Sequence, residues 1–515
     1  MNKQKPLTHG AAAKRSGRGV DFGLIMEEKL EMAGARSGST LQRSIPAWMS
    51  HLLGFCLLIL VVAVSEPSAS GQGNFLQITN LKVASEGWRL GWETGTNAAF
   101  TVQYQETLRD GIWRIPDSAL PVATNYWIEP VRTNASRFYR VTGVPQADRG
   151  KVLGAPTFVR TVSLLELGFY YSQGLLPVAP RYSVRLYKVV YETITPIGGK
   201  TRASGALILP ESTGRPLPLI SYQHGTITQT NKAPSAMETT GEAFVGVAMA
   251  TAGYAVVEAD YLGLGESPGL HPYHHARSEA SACVDLLRAA RTICSTNGFP
   301  LTNRLFLCGY SQGGHATLAL LREIETHHAT EFPVTACAPM AGAYDLPGVT
   351  TGDFLSGRIF PNPYYFLYLL AAFQDVYHFA PTLQDLLAPP YNTTLPPLLH
   401  GNTTGGIINA ALPQDPTLIL KPEYLVAFRS DPRHPLRLAL RDNGLCDWTP
   451  STPLRLYHCS GDQDVIVANS KVAAAGFQAR GATNVVWLDP LPGANHGGCA
   501  QPSLLAAKIW FDSFN

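Results

Sequence analysis

From about residue 150 to the carboxyl terminus, short apolar runs alternate with stretches in which apolar residues recur every three or four positions. "RLYKVVYETI", "TRASGALILP" and "LPLISYQHGT" have the length and β-branched content of strands, as do "GYAVVEADY" and "RLFLCG". "SEASACVDLLRAARTI" has helical spacing. This alternation predicts an α/β fold over residues 150–515, with a mostly parallel sheet and helices on both faces.

Residues 74–147 have a different pattern, with short alternating runs broken by turn residues. "FLQITNLKV", "WRLGWET", "AFTVQYQET" and "RFYRVTGV" are rich in β-branched and aromatic residues and predict a small β-sandwich. This stretch resembles the fibronectin type III and immunoglobulin-like modules of exported bacterial enzymes, with Trp92, Tyr104 and Tyr139 as expected core aromatics. Acids, histidines and nucleophiles do not cluster in it. We expect a spacer or stabilising module, and contact with a surface or polysaccharide is the alternative.

The amino-terminal residues 1–70 predict an export signal. Residues 52–64 form an uncharged apolar run, and the small residues of "SEPSASG" suit cleavage after Ser65 or Ser70. As a helix this run extends about 20 Å, short of the roughly 30 Å of a bilayer core. A retained anchor or a buried helix is the alternative. Met49 directly precedes the run and is a candidate start of translation.

Composition and charge exclude few functions but narrow the partners. The chain has 515 residues, 45% of them hydrophobic, and a formal net charge of +2. It has no long Lys/Arg tract with interleaved aromatics, so neither nucleic acid nor an anionic membrane surface is expected as a partner.

Cysteine spacing gives no metal site. Seven cysteines remain after the signal, and none of their spacings resembles a zinc site. Cys283 and Cys294 are about 16 Å apart on a predicted helix, too far for a disulfide. Cys446, Cys459 and Cys499 could supply one bridge in an oxidising compartment.

"LFLCGYSQGGHATLALL" places Ser311 between Gly309 and Gly313, where a predicted strand gives way to a predicted helix. Gly-x-Ser-x-Gly at such a junction is the pattern of a nucleophile on a sharp turn, where glycines remove side chains that would collide. Ser311 is therefore the candidate nucleophile.

A serine nucleophile needs a base and an orienting carboxylate, which in this fold follow it in the order acid, then histidine. "YHCSGDQDVIV" offers Asp462 and Asp464 after a predicted strand, and "PGANHGG" offers His496 before a terminal helix. Asp464 is preferred because Asp462 lies in the turn, where capping is the usual role. His496 is preferred over His458, which lies in a predicted strand.

An oxyanion hole needs two N–H donors, one following the nucleophile and one from the loop after the third strand. The predicted donors are the backbone N–H groups of Gln312 and of Thr226 in "QHGT", with Gly225 as the alternative to Thr226. This scheme requires neither a cofactor nor a metal.

Together, "SYQHGT", "GYSQGGHATLAL" and "HCSGDQDVIV...NHGG" resemble the α/β-hydrolase superfamily. Within it, the chain is similar to secretory lipases of the Candida antarctica lipase A type and to related bacterial esterases. The resemblance spans residues 180–515. It implies a triad of Ser311, Asp464 and His496 with Gln312 and Thr226 as oxyanion donors.

Residues 344–445 interrupt the α/β pattern and predict a helical cap. Its aromatic run includes Tyr365 and Phe366, which are expected to line an apolar acyl or alcohol pocket. Packing of the cap onto the sheet is the alternative for each aromatic.

The predicted function is that of an exported serine hydrolase of carboxylic esters, an esterase or lipase. A serine peptidase of the prolyl oligopeptidase type is a weaker alternative, because no β-propeller precedes the hydrolase region. A noncatalytic surface-binding protein on a hydrolase scaffold is the alternative from another class.

Overall fold

The computed structural model describes residues 74–84, 87–92, 98–105, 126–129, 137–145, 148–237, 241–378 and 380–514. The expected signal segment and the extension before it lie outside these residues. Among the described residues, no helix is both long and apolar enough to span a bilayer.

The amino-terminal region forms two antiparallel sheets. Its strands are β1 (Asn74–Leu76), β2 (Ile78–Ala84), β3 (Gly87–Trp92), β4 (Ala98–Gln105), β5 (Tyr126–Glu129) and β6 (Phe138–Pro145). One sheet has the order β1-β6-β4 and the other β2-β3-β5. Trp92 and Tyr139 are each 2% exposed in the shared core, and Tyr104 packs against it.

A nine-stranded sheet organises the rest of the chain. Its strands are β7 (Thr157–Val162), β8 (Val184–Ile194), β9 (Lys200–Pro210), β10 (Leu217–Gln223), β11 (Ala255–Ala259), β12 (Leu301–Tyr310), β13 (Ala336–Met340), β14 (Leu454–Tyr457) and β15 (Val485–Leu488). Their order is β15-β14-β13-β12-β10-β11-β9-β8-β7. The six strands from β15 to β11 are parallel, and the remaining pairings are antiparallel.

The helices lie on both sides of this sheet and in a separate cap. They are α1 (Leu164–Ser172), α2 (Ala243–Thr251), α3 (Ala276–Thr296), α4 (Gln312–Glu323), α5 (Thr351–Phe354), α6 (Tyr364–Tyr377), α7 (Tyr391–Thr394), α8 (Gly405–Ala410), α9 (Pro422–Ser430), α10 (Pro435–Asp442), α11 (Ala468–Ala479) and α12 (His496–Asp512).

Two apolar clusters cover the two faces of the sheet. Successive strand residues point to opposite faces, so Leu207 and Leu209 of β9 join the cluster under α3 and α4. Ala206 and Ile208 join the cluster that contains residues of α2 and α12. The predicted α/β class is confirmed.

The cap lies between β13 and β14. Its described residues contain α5 to α10 and no named strand, and they have an apolar core of their own, rich in aromatic residues. β12 lies near the middle of the sheet. The residue that follows its carboxyl end and the loops that follow β13 and β14 lie close to the cap.

Candidate active site

Ser311 lies on a sharp turn between β12 and α4. Its backbone has a positive φ of 61°, with ψ −120°. Residues other than glycine seldom adopt this conformation, and those that do are often found at functional sites. The Ser311 N–H donates to the carbonyl of Met340 on the adjacent strand at 2.9 Å. A side chain at Gly309 or Gly313 would overlap the backbone of Gln223, so glycine is required at both positions.

His496 is the first residue of α12 and faces the nucleophile. Its Nε2 lies 2.8 Å from Ser311 Oγ, and its Nδ1 lies 2.6 Å from Asp462 Oδ2. Both the histidine and the serine are buried, each 8% exposed. In the tautomer that fits both contacts, Nδ1–H donates to the carboxylate and Nε2 accepts from the serine hydroxyl.

The carboxylate beside His496 is that of Asp462, and the prediction of Asp464 as the orienting acid is wrong. Asp462 does cap the turn, since its Oδ1 accepts the N–H groups of Asp464 and Val465 at 2.9 and 3.0 Å. Its second oxygen faces His496. Capping and histidine orientation are therefore carried by the two oxygens of one side chain.

Asp464 lies two residues further, on the wall of the cavity in front of Ser311. Its side chain contacts the cap instead of His496, because its Oδ1 accepts from Asn362 Nδ2 at 2.8 Å.

His458 is the residue that sequence reasoning missed. It directly follows β14 and is fully buried, and its Nε2 lies 3.1 Å from Asp462 Oδ2 and 2.8 Å from the Val465 carbonyl. Burial alone would raise the pKa of Asp462. Hydrogen bonds from His458 and His496 outweigh that effect and hold the pKa well below its usual range. The signal in the sequence was the four-residue spacing of His458 and Asp462.

A disulfide joins the loop that carries the acid to the helix that carries the base. Cys459 forms a disulfide with Cys499, which lies 40 residues later in the sequence. Cys459 comes three residues before Asp462, and Cys499 three after His496. Cys446, the third candidate, is a free thiol. Cys283 and Cys294 are buried and unbonded, as their spacing predicted.

The two predicted oxyanion donors are backbone N–H groups of Gln312 and Thr226. Neither N–H has an acceptor among the described residues, which leaves both for a ligand. The Gly225 N–H donates to Glu242 Oε2 at 3.1 Å, so the alternative donor is already occupied. The Thr226 hydroxyl is fixed by Tyr273 Oη at 2.8 Å.

A buried polar network holds the side chain of Gln312. Its Nε2 donates to Glu279 Oε1 at 2.9 Å and to His271 Nε2 at 2.7 Å. Glu279 Oε2 lies 2.8 Å from His315 Nδ1, and His315 Nε2 lies 3.0 Å from the Asn443 carbonyl. Both ring nitrogens of His315 thus face acceptors, one of them the carboxylate of Glu279. The network fixes the residue whose N–H faces the site.

The only metal-type cluster found in the described part of the chain is formed by His274, Glu279 and His315, with ligand atoms within 4.8 Å of one another. Each oxygen of Glu279 already has a hydrogen-bond partner, Gln312 for one and His315 for the other.

Three further histidines are buried and neutral near α3. Burial lowers the pKa of His271 to about 4 and the pKa values of His274 and His275 to about 3. An unfolded histidine titrates near pH 6.5. These residues therefore cost no stability above that pH, and they progressively destabilise the fold as the pH falls toward 3.

The cavity at Ser311 is bounded mainly by apolar side chains of the cap and of the loop after β13. The apolar members include Ala343, Leu346, Phe354, Phe360, Tyr365, Leu369, Val465 and Ile466. Tyr365 thus lines the cavity as predicted. Phe366 does not, because the next residue of a helix points about 100° away. It is 1% exposed in the cap core, with its ring 5.0 Å from that of Phe354.

The sheet order, the nucleophile turn and the Ser–His–Asp hydrogen-bond chain define the protein as an α/β-hydrolase. Residues 228–351 match the secretory lipase family. The esterase LipA from Xanthomonas oryzae, described as degrading rice cell walls, is 31% identical over 71% of this chain and 96% of its own, with a TM-score of 0.61. The chain belongs to the secretory lipase family and is a carboxylic ester hydrolase.

Two other solved structures place the fold more widely. A hydrolase from Legionella pneumophila is 29% identical over 71% of this chain and 98% of its own, with a TM-score of 0.66. Candida antarctica lipase A in its closed state is 18% identical over 71% of this chain and 81% of its own, with a TM-score of 0.54, and shows the fold alone. No curated protein sequence matches the chain.

Proposed function

We propose that the protein is an exported serine esterase that works through an acyl-enzyme on Ser311. The observation that carries this proposal is the unbroken hydrogen-bond chain from Ser311 Oγ through His496 to Asp462. Such a chain makes a weakly acidic hydroxyl a nucleophile, because the base accepts its proton while the carboxylate stabilises the imidazolium that forms.

In the acylation step, Ser311 Oγ bonds to the ester carbonyl carbon as its proton passes to His496 Nε2. The carbonyl oxygen becomes an oxyanion, which the Gln312 and Thr226 N–H groups stabilise. Collapse of this intermediate breaks the bond to the alcohol oxygen, and the imidazolium protonates the leaving alcohol.

Deacylation repeats these steps with water. His496 takes a proton from a water molecule as the water oxygen bonds to the acyl carbon. Collapse of the resulting intermediate breaks the bond between the acyl carbon and Ser311 Oγ and releases the acid, and the His496 imidazolium returns the proton to Ser311 Oγ. The free enzyme is restored with no other reactant.

The test is labelling by a fluorophosphonate probe, with peptide mapping of the labelled site and a panel of p-nitrophenyl esters. The expected result is label on Ser311, ester turnover by the wild type, and neither in Ser311→Ala. A folded wild-type chain that takes no label supports the noncatalytic binding protein instead. Faster turnover of peptide p-nitroanilides than of esters supports the peptidase.

Export is proposed on three grounds: the apolar run of residues 52–64, the family match, and a disulfide at the site. The amino terminus of the mature chain, measured by mass spectrometry in each cell fraction, tests it. A chain that keeps residues 52–64 and stays in the cytoplasm contradicts export.

A further inference from the structure

Asp464 is one of the residues that line the cavity at Ser311. Its backbone N–H donates to Asp462, and its Oδ1 accepts from Asn362 at 2.8 Å. Its Oδ2 has no donor within the described residues. A carboxylate can accept about four hydrogen bonds, so this half-buried group, which belongs to a residue that lines the cavity, retains unused capacity.

No cation neutralises Asp464 in the described part of the chain. Arg358 reaches the same loop, where it donates to the Gln463 carbonyl at 2.8 Å. Its other donors go to Asp353, with two contacts of 2.6 Å, and to the Ile359 carbonyl at 3.2 Å. The cavity therefore has two aspartates of different character, since Asp353 is paired and Asp464 is not.

Asp464 also raises the pKa values of three tyrosines, of which Tyr365 lines the cavity. Burial is the main cause of the raised pKa of Tyr364, about 12, and Asp464 adds to it. Burial is also the main cause of the raised pKa values of Tyr310 and Tyr365. Asp464 adds to both, after Asp462 at Tyr310 and after Tyr364 and Tyr273 at Tyr365. The hydroxyl groups of these tyrosines therefore remain neutral near pH 7.

An apolar substrate chain in this cavity would strip water from Asp464 Oδ2 and return no hydrogen bond. Burying an unsatisfied charged acceptor is costly, whereas a hydroxyl placed there restores a charge-assisted bond. A carboxylate on the substrate would be repelled. We propose that Asp464 forms a subsite for a hydroxyl group of the substrate, so that the preferred esters carry a hydroxyl on the acyl chain or on the alcohol. This subsite rests on the proposed esterase function.

The experiment compares matched ester pairs by pH-stat titration. Ethyl hexanoate against ethyl 6-hydroxyhexanoate tests the acyl side, and hexyl acetate against 6-hydroxyhexyl acetate tests the alcohol side. The expected wild-type result is a higher kcat/KM for the hydroxylated member of one pair. Asp464→Leu should lower that hydroxyl preference by about ten- to a hundredfold, and Asp464→Asn by a smaller factor.

Thr350→Val is the matched control, because Thr350 lines the same cavity with a neutral hydroxyl that is bonded to Asn469 at 3.2 Å. Its hydroxyl preference should equal that of the wild type. Equal kcat/KM within both pairs in the wild type would overturn the subsite alone. A preference unchanged in Asp464→Leu, or an equal loss on all four esters, would do the same. Absence of turnover on all four by the folded wild type would overturn the esterase proposal and the subsite with it.

Discussion

Replacing Asp462 by Asn separates the two candidate acids. The carboxylate lies 2.6 Å from His496 Nδ1, which places the charge centres of carboxylate and imidazolium about 4 Å apart in the transition state. At an effective dielectric constant of about 20, their attraction is about 4 kcal/mol, or about 10³ in rate. An asparagine amide must also direct its NH₂ group either at His496 or at the two backbone N–H groups that Oδ1 caps. The mismatch extends the expected loss of kcat to about 10⁴.

The assay measures kcat on a p-nitrophenyl ester. The concentration of active wild-type enzyme is obtained by titration with a fluorophosphonate probe, and the variants are compared at the same protein concentration. Asp464→Asn is the matched control, with the same chemical change two residues away, and it should lose far less. Thermal melts check that each variant is folded at the assay temperature. A kcat for Asp462→Asn within tenfold of the wild type, or a larger loss in Asp464→Asn, would refute the assignment of Asp462.

Four other changes test the surroundings of the site. His458→Leu should lower kcat about tenfold by removing a buried donor to the triad carboxylate, and an unchanged kcat would remove this residue from the site. Cys499→Ser should lower Tm by about 5 °C and reduce kcat; retention of both values would show that the disulfide is dispensable. Because the pKa of His275 is about 3, its neutral form costs about 2 kcal/mol at pH 5 relative to pH 7. His275→Asn, which can keep the helix cap, should therefore reduce the loss of urea stability between these pH values, and an equal loss would contradict the linkage. Tyr365→Ala should lower kcat/KM for decanoate more than for acetate, since each buried methylene contributes about 0.8 kcal/mol; an equal loss on both esters would indicate a packing role.

The fold and the nucleophile were accessible from the sequence because both depend on local patterns. Alternating apolar runs and helical stretches locate strands and helices to within a few residues. The glycines around Ser311 are required because the backbone of Gln223 leaves no room for side chains there. His496 was found in the same way, from a loop between a late strand and the terminal helix.

The acid was not accessible in this way. Asp462 and Asp464 share one turn, and only the tertiary approach of α12 decides which carboxylate meets His496. The capping argument correctly described one oxygen of Asp462, but it treated capping and catalysis as alternatives. The roles of Tyr365 and Phe366 depend on the rotation of α6 over the sheet, which a continuous aromatic run does not encode.

Because of the disulfide between Cys459 and Cys499, the covalent support of the site depends on the redox conditions of the compartment in which the chain folds. A cytosolic precursor keeps these cysteines as thiols, and the loop with the acid is then joined to the helix with the base only by noncovalent contacts. Oxidation after export adds the covalent tie between them. On the proposed route, the triad of an ester-cleaving enzyme gains this covalent support only outside the compartment that holds the cell's own ester metabolites.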